Sequence, residues 1–206
     1  MTTMKWLFLV ALAGHLLCGA CDCLMTYLPN GRFKFDYMKD NRKLSEVFEG
    51  MSPRKAILPT LLGCLAMCMM FFGYMALYSW MKPLSQPHAS LMLIAIGLIF
   101  VFGPVHHVLC GVPEWLYVRL GRTDEARQII TELFRKTSVT MIACYVGFLL
   151  FGAALFAAVV SGLTPLPGWA CVFNTALLML VLMPLRVGGS GNWAGAIMFL
   201  GLLILT

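Results

Sequence analysis

HLLCGACDCLMTYLP, His15–Pro29, decides the reading of this chain. It is the second half of the first hydrophobic segment, and it places Asp22 inside that segment. Asp22 reads as the one acidic residue, of nine, that must lie within a membrane-length apolar run. A carboxylate at the centre of a bilayer helix costs roughly 2.5–3.5 kcal/mol on insertion scales, so such a residue marks a site by default. At 100° per residue His15, Cys18 and Asp22 fall within about 60° of one another, forming one polar stripe.

The rest of the chain supports a membrane reading. It has 206 residues, 60% of them hydrophobic and 12% charged, with a mean hydropathy of +0.84. That is outside the soluble globular range. Several segments reach the roughly 20 apolar residues that cross hydrocarbon as a helix, and helices satisfy their own backbone there. The fold class is therefore all-α, a polytopic transmembrane bundle in one domain over residues 1–206. Six helices are expected, at about 4–28, 54–80, 90–112, 137–162, 168–185 and 193–206. An amphipathic interfacial helix is expected at about 123–136, where Thr123 caps and Ala126, Ile129, Ile130, Leu133 and Phe134 share a face. Gly103-Pro104 predicts a kink, and Pro113-Glu114-Trp115 opens a short interfacial piece. The last segment is short for a full span.

The eight cysteines all lie in apolar segments, which excludes a loop-rich disulfide framework and points to reduced, buried thiols. Cys18-Gly-Ala-Cys21 matches C-x-x-C, but mid-helix in an apolar segment its thiols ionise poorly.

Charge gives the orientation. The net charge is +6. If six segments alternate, thirteen of the fifteen basic residues fall on one side, and only Lys5 and Lys82 on the other. That is a strong positive-inside signal. The expected location is a bacterial inner membrane, with the N-terminus outside and the basic loops cytoplasmic. A cleaved signal peptide would deliver the most basic loop outside and is rejected on that ground. The basic loops are expected to meet the bilayer and its anionic headgroups rather than nucleic acid. An oligomer is compatible with the composition.

This orientation brings polar residues to one depth near the cytoplasmic leaflet. Asp22, His106, His107, Arg54, Arg186 and Asn192 converge there. Three functional classes follow. The first is binding or transport of a small or amphiphilic molecule, with Asp22 and His106 as charge and proton handle and Arg54 and Arg186 for an anionic group. The second is a metal-dependent intramembrane hydrolase of a lipid-like substrate, with His106, His107 and Asp22 holding zinc or another transition metal. The third is a structural or accessory subunit with no small-molecule site; independently of these classes, Asp22 is a candidate to pair with Arg54 or Arg186 and pin the bundle together.

Cys21-Asp22, Tyr27-x-Pro29, Ser52-x-Arg54, Gly73-Tyr74 with Tyr78, His106 and Gly189–Asn192 form a further pattern. It resembles an uncharacterised family of bacterial six-helix membrane proteins. That family has an acidic residue late in helix one followed by Tyr-x-Pro, an arginine opening helix two and a histidine late in helix three. This chain has Cys21 where the family has glycine, and His106-His107 where one histidine is usual. The resemblance implies no activity. It favours Asp22, Tyr27, Arg54 and His106 as the polar core.

Overall fold

A computed structural model describes residues 2–206. The chain's regular structure is helical apart from one hairpin of two-residue strands. Its helices are α1 (Thr3–Thr26), α2 (Asn41–Val47), α3 (Pro53–Met81), α4 (Gln86–Arg119), α5 (Asp124–Thr137), α6 (Val139–Val160), α7 (Thr175–Leu182) and α8 (Ser190–Leu205). After α1 the hairpin pairs Tyr27 with Arg32 and Leu28 with Gly31.

Local chemistry sets the helix starts. Ser52 accepts from the Lys55 amide ahead of Pro53 at the first position of α3. Thr123 does the same for Ala126 in α5. Asn174 accepts from Ala176 and Leu177 while its amide donates to the Gly152 carbonyl of α6 at 2.8 Å, which ties the start of α7 to the bundle.

Four helices, α1, α3, α4 and α6, are long and apolar enough to cross a membrane. α7 and α8 are shorter. The segment expected at 168–185 is not one helix: 3-10 turns at Gly168–Val172 and Met183–Leu185 flank the eight residues of α7. In order of contact α1, α3, α4, α6, α7, α8 and α1 again close a ring. An aromatic plug fills the ring at the Lys5 end. Tyr74 lies 4.7 Å from Phe151, 5.2 Å from Phe199 and 5.2 Å from Phe100 between ring centroids, with Phe8 against Phe199.

The expected helix end near residue 112 is overturned. α4 runs unbroken through Pro104 and Pro113 to Arg119. Proline removes one backbone bond and clashes with the preceding turn, but α3 and α6 pack along α4, and its final turns are held by tertiary contacts. Tyr117 is fully buried, and its hydroxyl donates to Asn41 Oδ1 at 2.7 Å. A helix of 34 residues is about 50 Å long, so α4 exceeds a hydrocarbon core of about 30 Å. Its end enters a cap built from the first loop, α2 and α5.

That cap has its own core: Leu28, Met38, Leu44, Val47, Phe48, Tyr117, Ala126 and Ile130. Arg127 donates to the Met38 carbonyl at 2.8 Å and Arg122 to the Ser45 carbonyl at 3.1 Å. Much of the apolar face of α5, expected on the membrane surface, is thus turned into protein. Ala126 and Ile130 are buried in the cap and Phe134 packs against it, while Ile129 stays exposed.

Candidate functional site

Four helices build a hydrogen-bonded chain that runs from the aromatic plug toward the cap end of the ring. α1 carries His15, Cys18 and Asp22; α8 opens with Asn192; α4 brings His107; α3 brings Tyr74 and the Pro59 carbonyl. The Tyr74 hydroxyl meets His15 Nε2 at 3.3 Å, and His15 Nδ1 meets Asn192 Oδ1 at 3.2 Å. Asn192 Nδ2 donates to Asp22 Oδ2 at 2.7 Å. Asp22 Oδ1 faces His107 Nδ1 at 3.5 Å, and His107 Nε2 meets the Pro59 carbonyl at 3.3 Å.

Donor and acceptor types fix most of the protons in this chain. Asn192 gives its amide to Asp22, so its oxygen accepts from His15 Nδ1–H. His15 Nε2 then accepts from Tyr74. A carbonyl only accepts, so His107 Nε2 carries hydrogen toward Pro59. His107 Nδ1 faces the Asp22 carboxyl across 3.5 Å, so a hydrogen shared between the two atoms would hold the pair together.

Each histidine sits in a notch cut by glycine. A Cβ built on Gly63 of α3 would fall 2.5 Å from Cδ2 and 2.6 Å from Cε1 of His107. A Cβ on Gly195 of α8 would fall 2.5 Å from His15 Nδ1. Gly189 closes the site from the side. Its φ of +71° is left-handed, and it lies against the Asp22 Cβ. Tyr27 braces the same turn, its hydroxyl accepting from the Gly188 amide at 3.5 Å.

The chain borders a cavity of about 290 Å³. Its polar lining includes Asp22, His106, His107, Cys110, Glu114 and Asn192, and its apolar walls include Met67, Phe100, Phe134, Tyr145, Phe148 and Met179. No lysine or arginine lines it among the described residues.

Asp22, His107 and Asn192, expected to converge, are therefore brought together. His106 lines the same cavity but turns its ring nitrogens to Thr140 at 3.4 Å and Cys110 at 3.5 Å. Arg54 and Arg186 are exposed and make no ion pair among the described residues; the ionic partner of Asp22 is His107. The pairing of Asp22 with either arginine is thus replaced. Arg54 opens α3 at the surface, and Arg186 occupies a left-handed position in the turn before α8. Tyr27 is half exposed and packs under the Arg32 guanidinium.

A metal-ligating set also exists, although not the expected one. Cys18 Sγ, an Asp22 oxygen and a His107 ring nitrogen all lie within 4.8 Å of one another. Thiolate, carboxylate and imidazole suit zinc. His106 is outside this set.

The chain belongs to a family of unknown function, DUF6796. The family model matches residues 1–205. No curated protein matches the chain significantly, and no solved structure does.

Tyr74 and Glu114 join the site from outside the expected residues, and His15 joins it from the expected polar stripe. Tyr74 carried no positional signal beyond its neighbour Gly73. Glu114 was hidden by Pro113, which reads as a helix end. With the helix continuous, Glu114 lies seven residues beyond His107, on the same face. It is buried and lines the cavity.

Proposed function

We propose that this is a bacterial inner-membrane protein that binds or transports a small amphiphilic molecule in the cavity beside Asp22 and His107. The observation that carries the reading is the cavity itself, a largely apolar chamber with one polar wall of buried, mutually hydrogen-bonded side chains. Ligand pockets share this composition, with apolar walls for the body and a few placed polar groups for the head. Orientation follows the charge: all basic residues except Lys5 and Lys82 belong to the cap end, which is assigned to the cytoplasm. Six crossings are retained in this reading. The stretch 168–186 returns from the α6 end to the cap end, and its 3-10 turns, rising about 2 Å per residue, lengthen the short α7.

The test uses protein in lipid nanodiscs, with empty nanodiscs as the blank. Calorimetric titration with octanol, octanoate and octylamine is expected to show one site per chain for at least one probe. Gly191→Leu should abolish that binding. Gly191 lines the cavity, and a Cβ there has only ordinary contacts with Met179, so the longer side chain fills the chamber. No binding of any of the three probes would refute the proposal.

The hydrolase reading is favoured by one observation, the Cys18, Asp22 and His107 set. It predicts near-stoichiometric zinc in the purified protein, lost in Cys18→Ser and in His107→Ala and kept in His106→Ala. A well-folded preparation without metal after zinc loading would remove it.

A further inference from the structure

Glu114 is the one carboxylate whose surroundings demand a partner that the chain does not supply. It is buried, it lines the cavity, and its Oε2 has no hydrogen-bond partner among the described residues. Asp22 is met by Asn192 and His107. Asp36, Asp40, Asp124 and Glu132 each have a lysine or arginine. Basic side chains are plentiful at this end of the bundle, yet none forms an ion pair with Glu114 among the described residues. Both cavity histidines are engaged elsewhere, His107 by Asp22 and Pro59, His106 by Thr140 and Cys110. A buried charged or polar group left unpaired is costly, so the site is complete only with a donor from outside the chain.

The chemistry of the rest of the cavity says which donor. Two carboxylates and no lysine or arginine disfavour an anionic head. Asp22 already has Asn192 and His107 as partners, so Glu114 is the carboxyl left free to meet a cationic head. Phe100, Phe134, Tyr145 and Phe148 line the same space, and aromatic faces attract ammonium groups. A metal ion is not indicated at this carboxylate, because the metal-ligating cluster among the described residues does not include it.

We propose that Glu114 is the anchor for the head of a cationic amphiphile, a protonated amine carried on a hydrocarbon or aromatic body. The proposal rests on the reading of the cavity as an amphiphile site and names the class of ligand. Asp22 and His107 border the same cavity and offer hydrogen bonds to the same ligand.

Octylamine, octanol and octanoate share one body and differ in head, so the same nanodisc titrations at pH 7 test the claim. Octylamine is expected to bind at one per chain, at least tenfold tighter than octanol, with octanoate weakest. Glu114→Gln, nearly isosteric and uncharged, should weaken octylamine tenfold or more and leave octanol within twofold. Octanol binding to that variant also shows that the cavity is intact. Octylamine binding unchanged in Glu114→Gln would overturn the assignment, as would octanol or octanoate binding as tightly as octylamine to the unaltered protein; the second result needs no variant to fold. If octanol binds, is blocked by Gly191→Leu and is indifferent to Glu114, the cation claim alone falls. If no probe binds, the cavity reading falls with it.

Discussion

Gly63→Ala places a single methyl group against His107, and its effect can be worked from the geometry. The new Cβ would lie 2.5 Å from Cδ2 and 2.6 Å from Cε1 of the imidazole. The ring cannot slide freely, because Nε2 is held on Pro59 and Nδ1 on Asp22. Two responses are open. If the ring stays, the overpacking costs about 1–3 kcal/mol. If it leaves, the bonds to Asp22 and Pro59 are lost, at about 1.5–3 and 0.5–1.5 kcal/mol for charged and neutral bonds. Against either, alanine is about 0.8–1.0 kcal/mol better than glycine inside a helix. The net expectation is a loss of about 2 kcal/mol, or about 4–8 °C in melting temperature at about 2–4 °C per kcal/mol for a chain of this size. In a His107→Ala background the clash is gone and only the helix preference remains. There Gly63→Ala should raise the melting temperature by about 2–4 °C. Thermal melts of the four proteins in nanodiscs form a double-mutant cycle with a coupling of about 3 kcal/mol. An equal loss in both backgrounds would show that Gly63 does not serve His107, and the proton assignment at Asp22 would lose its anchor.

Tyr74→Phe removes the donor to His15 Nε2 and leaves a buried nitrogen unmet; a loss of about 1–3 kcal/mol is expected in the same melts, and an unchanged melting temperature would contradict the hydrogen-bonded chain. Arg54→Ala and Arg186→Ala, both exposed, should each change stability by no more than about 0.5 kcal/mol; a large loss from either would revive a pairing with Asp22. Hydrogen bonds from Arg127 and Gln128 hold the Asp124 carboxyl below the ordinary aspartate value, which is roughly 3.9. A lowered folded value means the contribution is fully present above that ordinary value and is lost as pH falls through the lowered one. Between pH 6 and pH 3 the melting temperature should therefore fall less in Asp124→Asn than in the unaltered protein, and an equal fall would contradict the role of Asp124 in α5.

What the sequence showed and hid follows from the range of each interaction. Caps are local, so Ser52-Pro53 and Thr123 gave the starts of α3 and α5 correctly. Depth along a helix is nearly local too, and Asp22, His107 and Asn192 do share a level. Which of two adjacent histidines faces Asp22 is a lateral question. It is decided by the notch at Gly63 on another helix. The spacing Gly103, His107, Gly111 on α4 was the available signal, since small residues at four-residue steps mark a face that packs closely. Gly111 does pack against Thr60. Glu114 was concealed by a rule that is right on average. Proline ends most helices, but here the buried Tyr117 and the cap carry α4 beyond it. Arg54 and Arg186 share the cap end with Asp22 but do not pair with it, because charge count near a membrane reports orientation and not partnership.

The two halves of the ring present different walls to the chamber, and the contrast is what favours the proposed amphiphile over an ion or a soluble metabolite. The hydrogen-bonded chain from Tyr74 to Pro59 draws its members from α1, α3, α4 and α8 alone. Across from it α6 and α7 present Cys144, Tyr145, Phe148 and Met179 to the same space. One wall is polar and internally satisfied; the other is mostly apolar. Because that chain satisfies itself, it stabilises the protein without a ligand and gives little preference for any head group. Glu114 differs in being unsatisfied within the chain, so it is the group from which a ligand gains most by supplying charge. Selectivity should therefore depend on Glu114 and folding on Asp22, His107 and Asn192, a division that substitutions at the two places can separate.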